Sequence, residues 1–235
     1  MFNLATNGMN APKKSASERT REVILERALG LFREKGFEVA TMRDIAQTAG
    51  VAIGAAYYYF PSKEAIVSAY YDQVQRVHAE KVHERLQGIE GLRERLGVVF
   101  HAKLEILKDD RKFLGALFRF TGDPSHPLSV FGNGTQAQRS QSVSIFREAI
   151  EGTGVSEEQT QLLPWALWLL QLAMVLFLIY DQSEGQQKSH KLADGLLDLV
   201  AQLVQLTSSA VVRPFIQPFQ AKMLGMLRDA GLTGE

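Results

Sequence analysis

The sequence predicts an all-α protein, with a short N-terminal helical unit followed by a larger helical bundle. Three observations predict this. Apolar residues recur at spacings of three and four along most of the chain, as one face of a helix requires. The strict alternation of a half-buried strand is rare. Glycine and proline fall between the periodic stretches, at Gly36, Gly50, Pro61, Gly152, Gly154, Gly185 and Pro214, where they punctuate helices. With 235 residues, the chain is long enough to bury a sizeable core.

In order along the chain, "SERTREVILERALGLFREKGF" opens the first helix. It places Val23, Ile24, Ala28, Leu31 and Phe32 on one face. Ser15 or Ser17 caps its start, and Gly36 followed by Phe37 fits a left-handed C-cap. A short helix follows Thr41, whose hydroxyl pairs with Asp44 as a capping box, and Gly50 ends it. A third helix runs from about Ala52 to Tyr58. Pro61 and Ser62 then introduce a long fourth helix from about Lys63 to Gln87.

After "GIEG", helices are expected at about 91–110 and 111–121, followed by the loop "TGDPSHPLSVFGNGTQ". Further helices are expected near 136–151, 157–181, 186–209 and 213–230. The division reads as a flexible tail over 1–16, a helix-turn-helix unit over 17–64 and a bundle over 65–235.

Composition constrains the chemistry. Lys+Arg and Asp+Glu are 26 each, so net charge gives no sign of nucleic acid; any electrostatic argument is local. There are no cysteines, which excludes disulfides and thiolate metal sites. No metal and no cofactor is expected. "HAEKVHE" sets His78 and His83 five apart, off one helical face, and "GNG" at 132–134 follows no strand. With no nucleophile elbow, phosphate loop or metal cluster, an enzyme is not expected.

"LLPWALWLLQLAMVLFLIY" (Leu162 to Tyr180) has the length of a membrane span, but its flanks hold no tight basic cluster to orient it. A helix buried by its own domain and a second subunit is the expected reading, with a membrane-associated helical protein as the alternative.

Residues 42 to 60 carry the chemistry. Two short helices joined by a tight turn need a small residue at their crossing, Ala46, and positive φ in the turn, Gly50. Ile45, Ala49, Val51 and Ala56 pin them to the unit. Tyr57, Tyr58 and Tyr59 are consecutive, so they point about 100° apart and cannot all be buried. Rigid rings with exposed hydroxyls suit phosphate contacts that fix register on a duplex. Lys63 and Arg43 add cations, while glycine and alanine at 54, 55 and 52 let a helix sit deep in a major groove.

The set "RTREVILERALGLFREKGF", "TMRDIAQTAGV" and "GAAYYYFPSKEAI" resembles the N-terminal domain of the tetracycline-repressor (TetR/AcrR) family of bacterial transcriptional regulators. The likeness covers residues 19 to 66, about a fifth of the chain. It implies a homodimer that binds a pseudo-palindromic operator, usually as a repressor, and is released by a small ligand in the bundle; the absence of cysteines suits the expected cytoplasmic location. Position by position, Thr41, Arg43, Gly54, Ala55, Tyr57, Tyr58, Tyr59 and Lys63 match DNA-contacting places. The sequence departs at Ala52, where the family usually has Ser or Thr. Ile53, Ala55 and Ala56 offer no hydrogen bonds, so readout leans on Arg43, Tyr57 and contact with thymine methyls. Lys13, Lys14 and Arg19 read equally as a DNA-binding arm or as a solvated tail.

In the bundle, wide apolar faces enclose an expected apolar pocket. Its candidate residues are His101, Phe118, Arg119, Arg147, Trp168 and Gln171. The helices near 157–181 and 186–209 are the expected homodimer contact. The second bears Leu192, Leu196, Leu199, Val200, Leu203 and Leu206. The operator, the effector, and the choice between repressor and activator stay open, as does a DNA-binding regulator without ligand response.

Overall fold

The computed structural model describes residues 15–209 and 211–229. It is all-α: ten α-helices and no strand among the described residues. They are α1 (Ala16–Lys35), α2 (Met42–Ala49), α3 (Ile53–Tyr59), α4 (Lys63–Arg85), α5 (Leu92–Leu107), α6 (Arg111–Thr121), α7 (Gln136–Ile150), α8 (Glu157–Tyr180), α9 (Gln187–Ser208) and α10 (Arg213–Asp229). The chain divides into two compact units between Ile66 and Val67, within the first turn of α4. Lys13 and Lys14 lie outside the described residues.

Local chemistry sets the first unit's boundaries. At α1, Ser15 Oγ accepts from the Glu18 amide while the Glu18 carboxylate accepts from the Ser15 amide, a complete capping box. Thr41 and Asp44 repeat the arrangement at α2. Gly50 closes α2 in the left-handed conformation (φ 69°, ψ 30°), which a Cβ disfavours.

Two expectations change in this unit. Gly36 has positive φ but extended ψ (90°, 149°), so it turns the chain out of α1 without a left-handed cap. Val23 is 41% exposed: the buried stripe is Ile24, Leu25, Ala28, Leu29, Leu31 and Phe32, one step further round the helix. The core of this unit closes on Phe37, Ile45, Ala46, Ala56 and Phe60, with Phe32 and Phe37 edge to face at 5.2 Å.

In the second unit, α5 packs on α7 and α9, and α8 packs on α5, α6, α7, α9 and α10. Phe100, Phe146, Leu96, Leu104, Leu167 and Leu178 are sealed in its core. Ser156 and Gln159 form a third capping box at α8. Asp181, just past α8, accepts from the backbone and hydroxyl of both Ser183 and Ser189, tying the end of α8 to the start of α9.

Among the described residues, α8 alone is long and apolar enough to cross a membrane. In this fold Trp165, Leu167, Trp168, Gln171, Met174 and Leu178 of α8 are buried, while Leu169, Phe177 and Tyr180 are exposed.

Candidate nucleic-acid interface and effector cavity

α2 and α3 form a helix-turn-helix. Ala46 and Ala56 are buried between the helices and their support. Met42 and Ile45 turn into the unit, which leaves Arg43 on the solvent face of the first turn. α3 carries no charged residue, and its outer face is small: a Cβ added at Gly54 meets nothing within 4 Å.

The three tyrosines divide their roles. Tyr58 is 81% exposed and Tyr57 49%, while Tyr59 is partly covered, its hydroxyl 3.2 Å from Ser17 Oγ on α1. The Tyr58 and Tyr59 rings meet edge to face at 5.1 Å, so the buttressed ring holds the exposed one. Ala52 begins α3 without a side-chain cap, and Ile53 beside it is exposed.

Two candidate contacts are committed inside the unit. Lys63 Nζ donates to the Phe37 carbonyl (2.7 Å) and the Glu38 carbonyl (3.1 Å) and sits 4.8 Å from the centre of the Phe37 ring. It binds the turn after α1, which takes two of its three donors. The Thr41 hydroxyl donates to the Asp44 carboxylate at 2.8 Å and accepts from the Asp44 amide. The hydrogen bond from the Thr41 side chain, then that from its backbone, holds the Asp44 carboxyl below its usual range.

The second unit holds a cavity of about 240 Å³ between α4, α5, α6, α7 and α8. Its wall is mainly apolar, with Leu107, Leu117, Val130, Leu172 and Val175 prominent. Of the sequence candidates, Phe118, Trp168 and Gln171 line it. Three do not. His101 faces α9, with Nε2 2.9 Å from Asp194 and Nδ1 2.7 Å from His190 Nδ1. Arg119 lies over the Phe120 ring at 4.7 Å, and Arg147 is exposed on α7.

Apart from Gln171, the polar groups of the cavity wall are ones the sequence did not single out. Lys103 is 4% exposed and donates to Gln75 Oε1 at 2.9 Å; the Gln75 amide donates to Ser142 Oγ at 2.6 Å. Burial drives the Lys103 ammonium down to about 7. Arg139, also buried, donates to the carbonyls of Val130 and Gly132. Burial lowers its pKa too. Tyr71, on the α4 side of the cavity, has its phenol pushed up by burial.

The comparisons with known proteins agree with this geometry. The family model "Bacterial regulatory proteins, tetR family" matches residues 24–70. The model "Tetracyclin repressor-like, C-terminal domain" matches residues 95–220, more than half of the chain. The chain belongs to the TetR family.

Among its relatives, the HTH-type transcriptional repressor KstR of Mycolicibacterium smegmatis is 34% identical over 89 residues, 37% of this chain and 44% of that protein. The repressor KstR2 of Mycobacterium tuberculosis is 30% identical over 142 residues, 56% of this chain and 66% of its own length. The aligned stretches thus span between 44% and 66% of the length of these curated relatives. Two solved TetR-family structures share the fold. A regulator from Nitrosomonas europaea gives a TM-score of 0.63 at 19% identity, over 77% of this chain and 98% of that one. The Thermus thermophilus repressor FadR, solved with lauroyl-CoA, gives 0.58 at 24% identity, over 75% and 92%.

Proposed function

We propose that this TetR-family protein is a cytoplasmic, homodimeric transcriptional repressor. It binds a pseudo-palindromic operator through α2 and α3 and is released when a small molecule enters the cavity of the C-terminal unit. The observation that carries the reading is the outer face of α3. Gly54 and Ala55 clear a path for the helix into a major groove, Ile53 and Tyr57 reach base edges, and Tyr58 stands at its flank as a phosphate donor. Arg43 supplies the cation on α2. Thr41 and Lys63 hold the unit in shape.

Dimerisation through α8 and α9 is supported by the apolar side chains those helices leave in solvent. Leu169 and Phe177 lie on α8; Leu192, Leu199, Leu203 and Leu206 lie on α9. Half-sites one turn apart require recognition helices spaced by roughly 34–36 Å, so a shift of a few ångströms prevents simultaneous engagement. α4 is the covalent route for such a shift, since Tyr71, Val74 and Gln75 on it line the cavity.

The test is selection of genomic fragments by the purified protein at stated salt, beside Tyr58→Ala and Arg43→Ala. Enrichment of one short palindrome, lost in both variants, is the expected result. A folded dimer that enriches no fragment above background overturns the reading.

A further inference from the structure

Lys103 is a buried amine without a counter-ion among the described residues. It is enclosed at the cavity wall, and among the described residues its only hydrogen bond goes to the neutral amide oxygen of Gln75. An ammonium has three donors, and two of these find no acceptor among the described residues. No carboxylate lies within ion-pair distance of it among those residues. Burying a charge this way is costly unless something pairs with it.

The remaining polar wall has the same character. Among the described residues Arg139 meets only carbonyl oxygens, and the buried Gln171 Nε2 has no acceptor. The carboxylates near this region are taken: Asp110 accepts from the Tyr70 hydroxyl at 2.7 Å and Asp72 from the Gln138 amide at 2.6 Å. The wall therefore offers two cations and a spare amide donor, all within an apolar enclosure. Its electrostatic complement is an anion with several acceptor oxygens on an apolar body.

The size of the cavity restricts that body. At roughly 30 Å³ per water-sized group, 240 Å³ holds on the order of eight such groups. We propose that the cavity is a site for a medium-chain monocarboxylate, its carboxylate paired with Lys103 and supported by Gln171, its chain along Trp168, Leu172 and Val175. The proposal rests on the reading of the cavity as the effector site and gives that effector a chemical class.

The charged or titratable groups around Lys103 and the cavity are His78, Tyr70, Tyr71 and Asp72 on α4, Asp110 after α5 and Arg139 on α7; among the described residues α6 and α8 place none in the cavity wall. With free Lys103 half-protonated near pH 7, a bound carboxylate draws a proton onto it. Affinity is then highest on the acid side and falls as pH rises past 7.

The probes are octanoate, 1-octanol and octylamine, titrated calorimetrically into the full-length protein and into Lys103→Met. The expected result is a wild-type preference for octanoate over 1-octanol of at least tenfold, weakening from pH 6.5 to 8.5. Lys103→Met should lose at least tenfold in octanoate affinity and keep 1-octanol binding. Equal or better binding of 1-octanol or octylamine by the wild type overturns the proposal. So does unchanged octanoate affinity in the variant. If Lys103→Met does not fold, the wild-type ranking of the three probes decides alone.

A parallel measurement on a selected DNA fragment separates the two readings. Octanoate that binds through Lys103 without weakening DNA binding confirms the anion site and removes the effector role. Release of DNA by 1-octanol but not by octanoate removes the anion site and keeps the effector role.

Discussion

Lys103 and His78 are buried bases, and each ties the stability of this protein to pH. The folded-state pKa of Lys103 lies near 7 against an ordinary 10.5. Between those values the unfolded chain binds more protons than the native one, so stability rises with pH across that window. Lys103→Met removes the penalty. In the absence of ligand it is expected to stabilise the protein by about 1–3 kcal/mol at pH 7, with the gain shrinking towards pH 10, as read by urea unfolding at several pH values. His78 is sealed, and its ring Nε2 donates to the Val99 carbonyl at 2.8 Å. Burial, then the charge of Lys103, depresses it from 6.5 to about 3. Its contribution is complete above 6.5 and is lost as pH falls towards 3. In His78→Gln the acid limb of the stability profile should be shallower over that range; an unchanged limb would count against this assignment. None of this was legible in "HAKLEIL". A lysine on an amphipathic helix reads as solvated, and only the partners packed around α5 decide which side is enclosed. His101 and Lys103 are two residues apart, hence about 200° apart around the helix. A cavity on the Lys103 side therefore excludes the histidine that the sequence favoured.

At the scale of elements, the sequence was most informative where boundaries are set by local hydrogen bonds. Thr41 with Asp44 and Gly50 after Ala49 needed no tertiary information, and the α2–α3 turn follows from them. Faces were less legible than ends: Val23 belongs to the periodic apolar pattern of α1 yet stands in solvent, because the stripe that packs is set by where α2 and Phe37 lie. The capping chemistry predicts two opposite changes. Thr41→Ala removes the box on α2 and should cost about 1 kcal/mol in thermal or urea unfolding. Ala52→Ser supplies the cap that α3 lacks and should gain on the order of 0.5–1 kcal/mol, with DNA affinity maintained or improved. Tyr58→Ala separates function from fold. A ring 81% exposed contributes little to stability, so the melting temperature should move by less than about 2 °C while DNA affinity falls by roughly tenfold or more. A large drop in melting temperature would instead make Tyr58 a packing residue. For Lys63 the sequence located the residue but not its partners within the unit. Its position at the start of α4 was evident, but the direction of its side chain depended on the carbonyls left open by the turn after α1.

At the scale of the whole molecule, hydropathy alone left the role of α8 open. A helix apolar on every side is either a membrane span or the centre of a protein that extends beyond one chain. The fold buries one side of α8 and leaves Leu169 and Phe177 outside; α9 does the same with Leu199, Leu203 and Leu206, which recur at intervals of four and three and so form one stripe. Leu199 and Leu203 are 56% and 58% exposed, more apolar surface than a lone bundle helix usually presents. A second copy of the same face would cover that stripe with like side chains, the self-complementary arrangement an isologous interface requires. Leu203→Glu sets a charge in the stripe without disturbing the core beneath. If the stripe is the dimer contact, the variant sediments as a monomer at concentrations where the wild type is a dimer, and its melting temperature no longer rises with protein concentration. Its affinity for a single half-site stays near that of the wild type, because α2 and α3 are untouched. Affinity for the full palindrome falls by roughly two orders of magnitude, the loss that accompanies conversion of an intramolecular second contact into a bimolecular one. A variant that stays dimeric would place the subunit contact elsewhere in the bundle, and one that loses half-site binding as well would show that the charge had damaged the fold.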